Sequence, residues 1–114
     1  MTPAEHFVVA TRREGATDVV VVRGEVDIAT APLLRAVLDT VVARRPARVE
    51  VDLSGVSFLD AYAVTTLAAV RRRLASRRAV LALRDPSAAA ALVLQLTRLD
   101  FEVVTSTVPE LRAG

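Results

Sequence analysis

Asp27, Asp52 and Asp60 are the side chains best placed to do chemistry in this chain. Each lies at or just beyond an apolar run, where an acidic pocket could accept phosphate or a carboxylate pair could move protons. The spacing supports neither use. A phosphate-accepting pocket needs an adjacent acid pair and a lysine, and the sequence has neither. A carboxylate pair for hydrolysis needs a fixed separation, and no motif sets one. The missing lysine also excludes a Schiff base and a lysine-tipped phosphate loop. The four glycines, Gly15, Gly24, Gly55 and Gly114, are scattered, so no glycine-rich loop forms. With no cysteine there is no thiolate nucleophile and no disulfide framework. His6 is alone and cannot build a two-histidine metal site. These exclusions predict a protein without catalytic turnover, metal or cofactor.

What remains is binding chemistry. Ala63, Leu67, Val70 and Leu74 fall at i, i+4, i+7 and i+11, one stripe of a helix that Asp60 is suited to cap. Tyr62, Thr66, Ala69 and Arg73 repeat that spacing on a stripe about 100° away. An aromatic, two small residues and an arginine make a credible contact strip. The alternative is that Tyr62 lies flat on the protein's own surface and covers the loop carrying Asp27. Arg71-Arg72-Arg73 with Arg77-Arg78 is the densest charge cluster. Nucleic-acid binding would want aromatics among these arginines. The four aromatics, Phe7, Phe58, Tyr62 and Phe101, lie elsewhere, so a solvated face is expected.

The elements that position these residues can be taken in order. Phe7 to Thr11 predicts a first strand and Arg12 to Ala16 a turn. Val19 to Val22 is a strongly β-branched second strand, antiparallel to the first. Thr30 is expected to cap a helix with Pro32 in its first turn and a stripe of Leu34, Val37, Leu38 and Val41. Arg44-Arg45-Pro46 ends it. Val49, Val51 and Leu53 alternate with Glu50 and Asp52 as a third strand, broken at Ser54-Gly55. Ala79 to Leu83 is the fourth strand. Asp85-Pro86 is expected to start a third helix whose apolar side carries Leu92, Leu96 and Leu99, and Phe101 to Val104 is the fifth strand. Thr107-Val108-Pro109-Glu110 has capping-box spacing for a short last helix. Successive strand–helix–strand units make strands two to five parallel. Right-handed crossovers then put the helices mainly on one face.

Asp52 to Asp60 read Asp-Leu-Ser-Gly-Val-Ser-Phe-Leu-Asp. This stretch resembles the STAS domain, the fold of bacterial anti-sigma factor antagonists. The family pattern is an apolar strand, Asp-Leu-Ser-Gly-Val-x-Phe-(Leu/Ile/Met)-Asp, two hydroxyl residues and a glycine, then an apolar helix. Here the two hydroxyls and the glycine are Ala61, Tyr62 and Ala63. Gly24-Glu25-Val26-Asp27 and Thr30-Ala31-Pro32 extend the resemblance, which runs from Phe7 to Glu110. It implies a STAS-type open α/β sheet. It also implies a regulator that captures an anti-sigma factor of the serine-kinase type and so frees a sigma factor. The family's phosphorylated residue corresponds to Tyr62, which a kinase site shaped for a short hydroxyl would not accept. Thr65 and Thr66 lie a turn further in, and Ser57 matches a non-acceptor position expected to face the loop interior. A phosphorylation-independent member is therefore expected. Its partner surface would comprise Asp27, Asp60, Ala61, Tyr62, Ala63, Thr66, Ala69 and Arg73. Asp27 has a second reading, as a brace of its loop through backbone N–H groups. Two other functions stay open: a nucleotide-binding STAS domain, and a scaffold subunit that associates with itself or with other STAS proteins.

The chain has 114 residues, 53% hydrophobic and 25% charged, which suits one globular domain with its own core. Fifteen arginines against thirteen acids leave a net charge of +2, too small to imply general affinity for nucleic acid. No apolar run is long enough to span a bilayer. Met1 to Glu5 has no basic segment followed by an apolar one, so no signal peptide and a cytoplasmic location are expected.

Overall fold

The computed structural model describes residues 7–106. His6 and the expected helix at Thr107-Val108-Pro109-Glu110 lie outside them. The elements in chain order are strand β1 (Val8–Glu14), strand β2 (Thr17–Val26), helix α1 (Ala31–Ala43), strand β3 (Arg48–Leu59), helix α2 (Ala61–Ala75), strand β4 (Val80–Arg84), helix α3 (Ala88–Thr97) and strand β5 (Glu102–Val104). The five strands form one sheet in the order β1-β2-β3-β4-β5. β1 is antiparallel to β2, and the pairs β2–β3, β3–β4 and β4–β5 are parallel. Three right-handed crossovers stepping in one direction leave the helices in a single layer, with α2 between α1 and α3.

Alternation along the strands decides which side chains enter the core. Val49, Val51 and Leu53 of β3 meet Leu34, Leu38 and Val41 of α1 and the expected stripe Ala63, Leu67, Val70 and Leu74 of α2, all within one buried cluster. Each fully buried leucine or valine there contributes about 1.5–3 kcal/mol. The opposite face carries ion pairs. Arg48 bonds Glu50 at 2.9 Å and Glu102 at 2.7 Å, while Arg84 reaches Glu14 at 3.0 Å and Glu50 at 3.5 Å.

Several boundaries differ from expectation, each for a physical reason. Arg12-Arg13-Glu14 is strand, not turn, because Gly15, with φ of +60°, lets the hairpin turn in only two residues. β3 does not break at Ser54-Gly55. It absorbs Ser54 in one register irregularity and Ser57 in a second, and runs on to Leu59. Ser57 is consequently exposed and does not face the loop interior. Thr30 sits at the N-cap of α1 but makes no side-chain cap bond. α3 is capped by Ser87, whose Oγ accepts from the Ala90 N–H at 3.1 Å, and not by Asp85. Asp85 instead adopts φ of +47° and accepts from the Ser106 N–H at 2.8 Å. Ser87 also fastens α3 to β3, donating its N–H to Leu53 O and its hydroxyl to Val56 O. That clamp turns buried Ala90 toward the sheet, with Val93 and Leu94 half-buried beside it. Leu92 and Leu96, expected inside, are 58% and 74% exposed.

Candidate functional site

The C-terminal ends of β2 and β3 and the first turns of α1 and α2 meet at one end of the sheet. Ligands and partners commonly bind there in open α/β folds. The loop after β2 is held rigidly. The Asp27 Oδ1 accepts from the N–H groups of Ala29 and Thr30 at 2.9 and 3.0 Å. Thr30, fully buried, donates its hydroxyl to Glu25 O at 2.7 Å and accepts from the Asp27 N–H at 3.0 Å. Asp27 therefore braces its own loop, and the loop presents Ile28 at its tip, 69% exposed.

The second part of the site is the β3–α2 junction. The Asp60 N–H donates to Val26 O at 3.1 Å, which locks this junction to the Asp27 loop. Asp60 Oδ1 accepts from the Ala63 N–H at 2.9 Å, the expected N-cap. Tyr62 then stands in the first helical turn with half its surface exposed. Its carbonyl accepts from the hydroxyls of Thr65 at 2.6 Å and Thr66 at 3.3 Å, so both hydroxyls are engaged with the backbone.

The expected strip along α2 does not continue as a surface. Ala61 is exposed, but Ala63 is fully buried in the core and Thr66 is 8% exposed. Ala69 is half-buried, and Arg73 ion-pairs with Asp39 of α1. The reason is rotation: the face carrying Thr66 and Arg73 turns toward α1, not toward solvent. The same holds for the arginine cluster, which is not simply solvated. Arg71 stacks over the Phe101 ring at 4.3 Å and donates to Asp100 O at 3.0 Å, and Arg77 donates to Val42 O at 3.0 Å.

In place of a strip, the site is a crown of exposed apolar side chains. Ile28, Leu33, Phe58 and Tyr62 are 69%, 48%, 48% and 50% exposed, and they come from four consecutive segments around this end of the sheet. Phe58 is opposite Glu25 in the β2–β3 register. Only Tyr62 of these four was singled out from sequence. Ile28 carried a usable signal, since an apolar residue between the loop-forming Asp27 and Thr30 has no strand or helix to bury it. Among the described residues no group of His, Cys, Asp or Glu side chains converges as metal ligands would. No helix there is long and apolar enough to cross a membrane.

A family model described as "Mlab, STAS domain" matches residues 9–105. The chain belongs to the STAS family. Several solved structures share the architecture over nearly the whole chain. An anti-sigma factor antagonist from Mycobacterium paratuberculosis has 28% identity and a TM-score of 0.82, covering 99% of this chain and 97% of its own. Unphosphorylated SpoIIAA, an anti-sigma factor antagonist, has 20% identity and a TM-score of 0.77 over 92% of this chain and 93% of its own. The phosphorylated form of SpoIIAA, a Bacillus cell fate determinant, has 21% identity and a TM-score of 0.69 over 94% and 96%. A search of curated proteins returns no significant match.

Proposed function

We propose that this STAS protein is an anti-sigma factor antagonist, acting in the cytoplasm without turnover of its own. In this reading the crown captures an anti-sigma factor of the serine-kinase type and so releases a sigma factor. Tyr62 carries the proposal. It occupies the family's phosphoacceptor position, yet it is an exposed aromatic beside exposed Phe58 and Ile28. Phosphate at that position would bring about −1.5 to −2 charges into an apolar contact and abolish it. The Tyr62 ring offers apolar area in place of a phosphorylatable short hydroxyl, so the surface stays permanently competent. Capture is phosphorylation-independent in this account.

Of the residues expected to touch the partner, the proposal keeps Asp60, Ala61 and Tyr62 at the surface and adds Ile28, Leu33 and Phe58. Asp27 and Ala63 act from beneath, holding the loop and the helix start. Thr66, Ala69 and Arg73 serve the contact between α1 and α2. Affinity capture on the immobilised chain from extracts of its own cells tests this. An anti-sigma factor should be retained by the wild type and lost by Phe58→Ala/Tyr62→Ala. Equal retention by both would remove the crown as the binding surface.

A further inference from the structure

The two ends of the molecule carry complementary chemistry. The helices run antiparallel to β2–β5, so every helix C-terminus lies at the pole opposite the crown. Beyond each helix stands an arginine with left-handed backbone: Arg45 at φ 56°, Arg78 at 61° and Arg98 at 56°. Glycine ordinarily takes such positions. Arg44 and Arg77 flank them. All five are exposed, and among the described residues none is in an ion pair. Neighbouring packed helices lie about 8–10 Å apart, so these arginines form a row across the pole. The bond from Arg77 to Val42 O ties the ends of α1 and α2 together. The bond from Arg71 to Asp100 O ties α2 to the loop that follows Arg98. Most other acids near this end are engaged: Asp18 is buried beside Arg13 at 3.8 Å, Glu14 pairs with Arg12 and Arg84, and Glu102 with Arg48, which leaves exposed Asp100 as one carboxylate against five arginines.

The crown has what this pole lacks. It exposes the aromatic rings of Phe58 and Tyr62, with exposed Glu25 opposite Phe58 in the β2–β3 register and half-buried Asp60 two residues before Tyr62. We propose that the arginine pole of one copy docks on the crown of another, head to tail. Guanidinium groups would stack on the two rings and bridge the carboxylates. The fold already uses this pairing internally, where Arg71 stacks over Phe101. Such a contact is heterologous, so each added copy leaves one free crown and one free pole. It also covers Tyr62, so self-association and capture of an anti-sigma factor exclude each other. The inference rests on the geometry of the two poles and not on the identity of any partner.

Sedimentation velocity on the full chain alone tests it. Wild-type mass should grow with protein concentration at low salt. It should fall back to monomer as the screening length drops from about 30 Å at 0.01 M to about 3 Å at 1 M salt. Two variants supply the decisive arm. Phe58→Ala/Tyr62→Ala lacks the crown rings. Arg45→Asn/Arg78→Asn/Arg98→Asn removes three of the pole's five arginines, and asparagine tolerates left-handed backbone. A second pole variant with glycine at the same three positions guards against misfolding. Each variant alone should be monomeric, and an equimolar mixture should give a one-to-one dimer, because one intact crown and one intact pole remain. A monomeric wild type at low salt, or a mixture that stays monomeric, overturns the proposal. Either failure leaves the capture of an anti-sigma factor standing, since only this chain is in the cell.

Discussion

Replacing Asp60 by alanine isolates the residue on which the site's geometry depends most. Its Oδ1 is the side-chain acceptor for an α2 amide at the first turn, and that turn contains no other acid. Loss of an N-cap carboxylate costs about 1 kcal/mol in most hosts. The helix dipole loses its nearest counter-charge as well, for about 0.5 kcal/mol. The sum is about 1.5 kcal/mol. Unfolding entropy of about 2.1 cal/mol/K per residue gives roughly 0.24 kcal/mol/K for this chain, so the melting temperature should fall by about 6 °C. Urea unfolding followed by circular dichroism reads the free energy directly. Asp60→Asn keeps the acceptor and loses only the charge, so it should cost about a third as much. An alanine variant as stable as wild type would refute the claim that this cap fixes the start of α2 and hence the placement of Tyr62.

Other predictions follow from single contacts. The carboxyl of Asp85 is held below its ordinary range by the hydroxyl and N–H of Ser106. Its folded pKa is depressed, so its contribution is present above about pH 4 and lost as pH falls below that. The stability difference between wild type and Asp85→Asn should therefore shrink on acidification, as measured by urea unfolding at stepped pH; a difference that widens would contradict it. Arg98→Gly should stabilise the fold by about 1 kcal/mol, because glycine adopts the left-handed backbone at this helix end without a Cβ penalty. A lower melting temperature for that variant would count against it. Arg71→Ala should cost about 1 kcal/mol through the lost stacking on Phe101 and the lost bond to Asp100. Arg72→Ala, at an exposed position, should be near neutral, and equal effects of the two in thermal melts would refute the distinction.

Much of the architecture was legible because the signals were local and redundant. The α2 stripe, its Asp60 cap and the strand–helix alternation each pointed the same way, and β2–β5 are parallel as expected. The errors arose where a tertiary contact overrode a local preference. Asp85-Pro86 reads as a helix start, but Ser106 claims the Asp85 carboxylate and Ser87 takes the cap. Leu92, Leu96 and Leu99 read as an inward stripe, and Leu99 does pack on the core, but the clamp of Ser87 on β3 sets the rotation of α3 by small Ala90 and leaves Leu92 and Leu96 outside. The strip below Tyr62 failed similarly, because the pairing of Arg73 with Asp39 needs α1, which helical periodicity in α2 alone does not locate. The crown was missed for a related reason. Ile28 and Leu33 are far from Phe58 and Tyr62 in sequence, and only the sheet order brings their segments to one end.

Isothermal titration of an anti-sigma kinase with wild type and with Tyr62→Ala tests the central claim most directly. Half of a tyrosine that offers about 200 Å² is exposed for contact, and 100 Å² at about 25 cal/mol/Å² is about 2.5 kcal/mol. With some of that area left uncovered, the alanine variant should bind about 2 kcal/mol more weakly, roughly 30-fold in Kd. With ATP present, mass spectrometry should find no phosphate at residues 61–63 of the wild type, whereas Tyr62→Ser should gain one if the partner is an active kinase. Tighter binding by Tyr62→Ala would mean that the ring blocks the surface, and phosphate at residues 61–63 of the wild type would mean that the switch is intact; either result contradicts a crown held permanently competent by Tyr62.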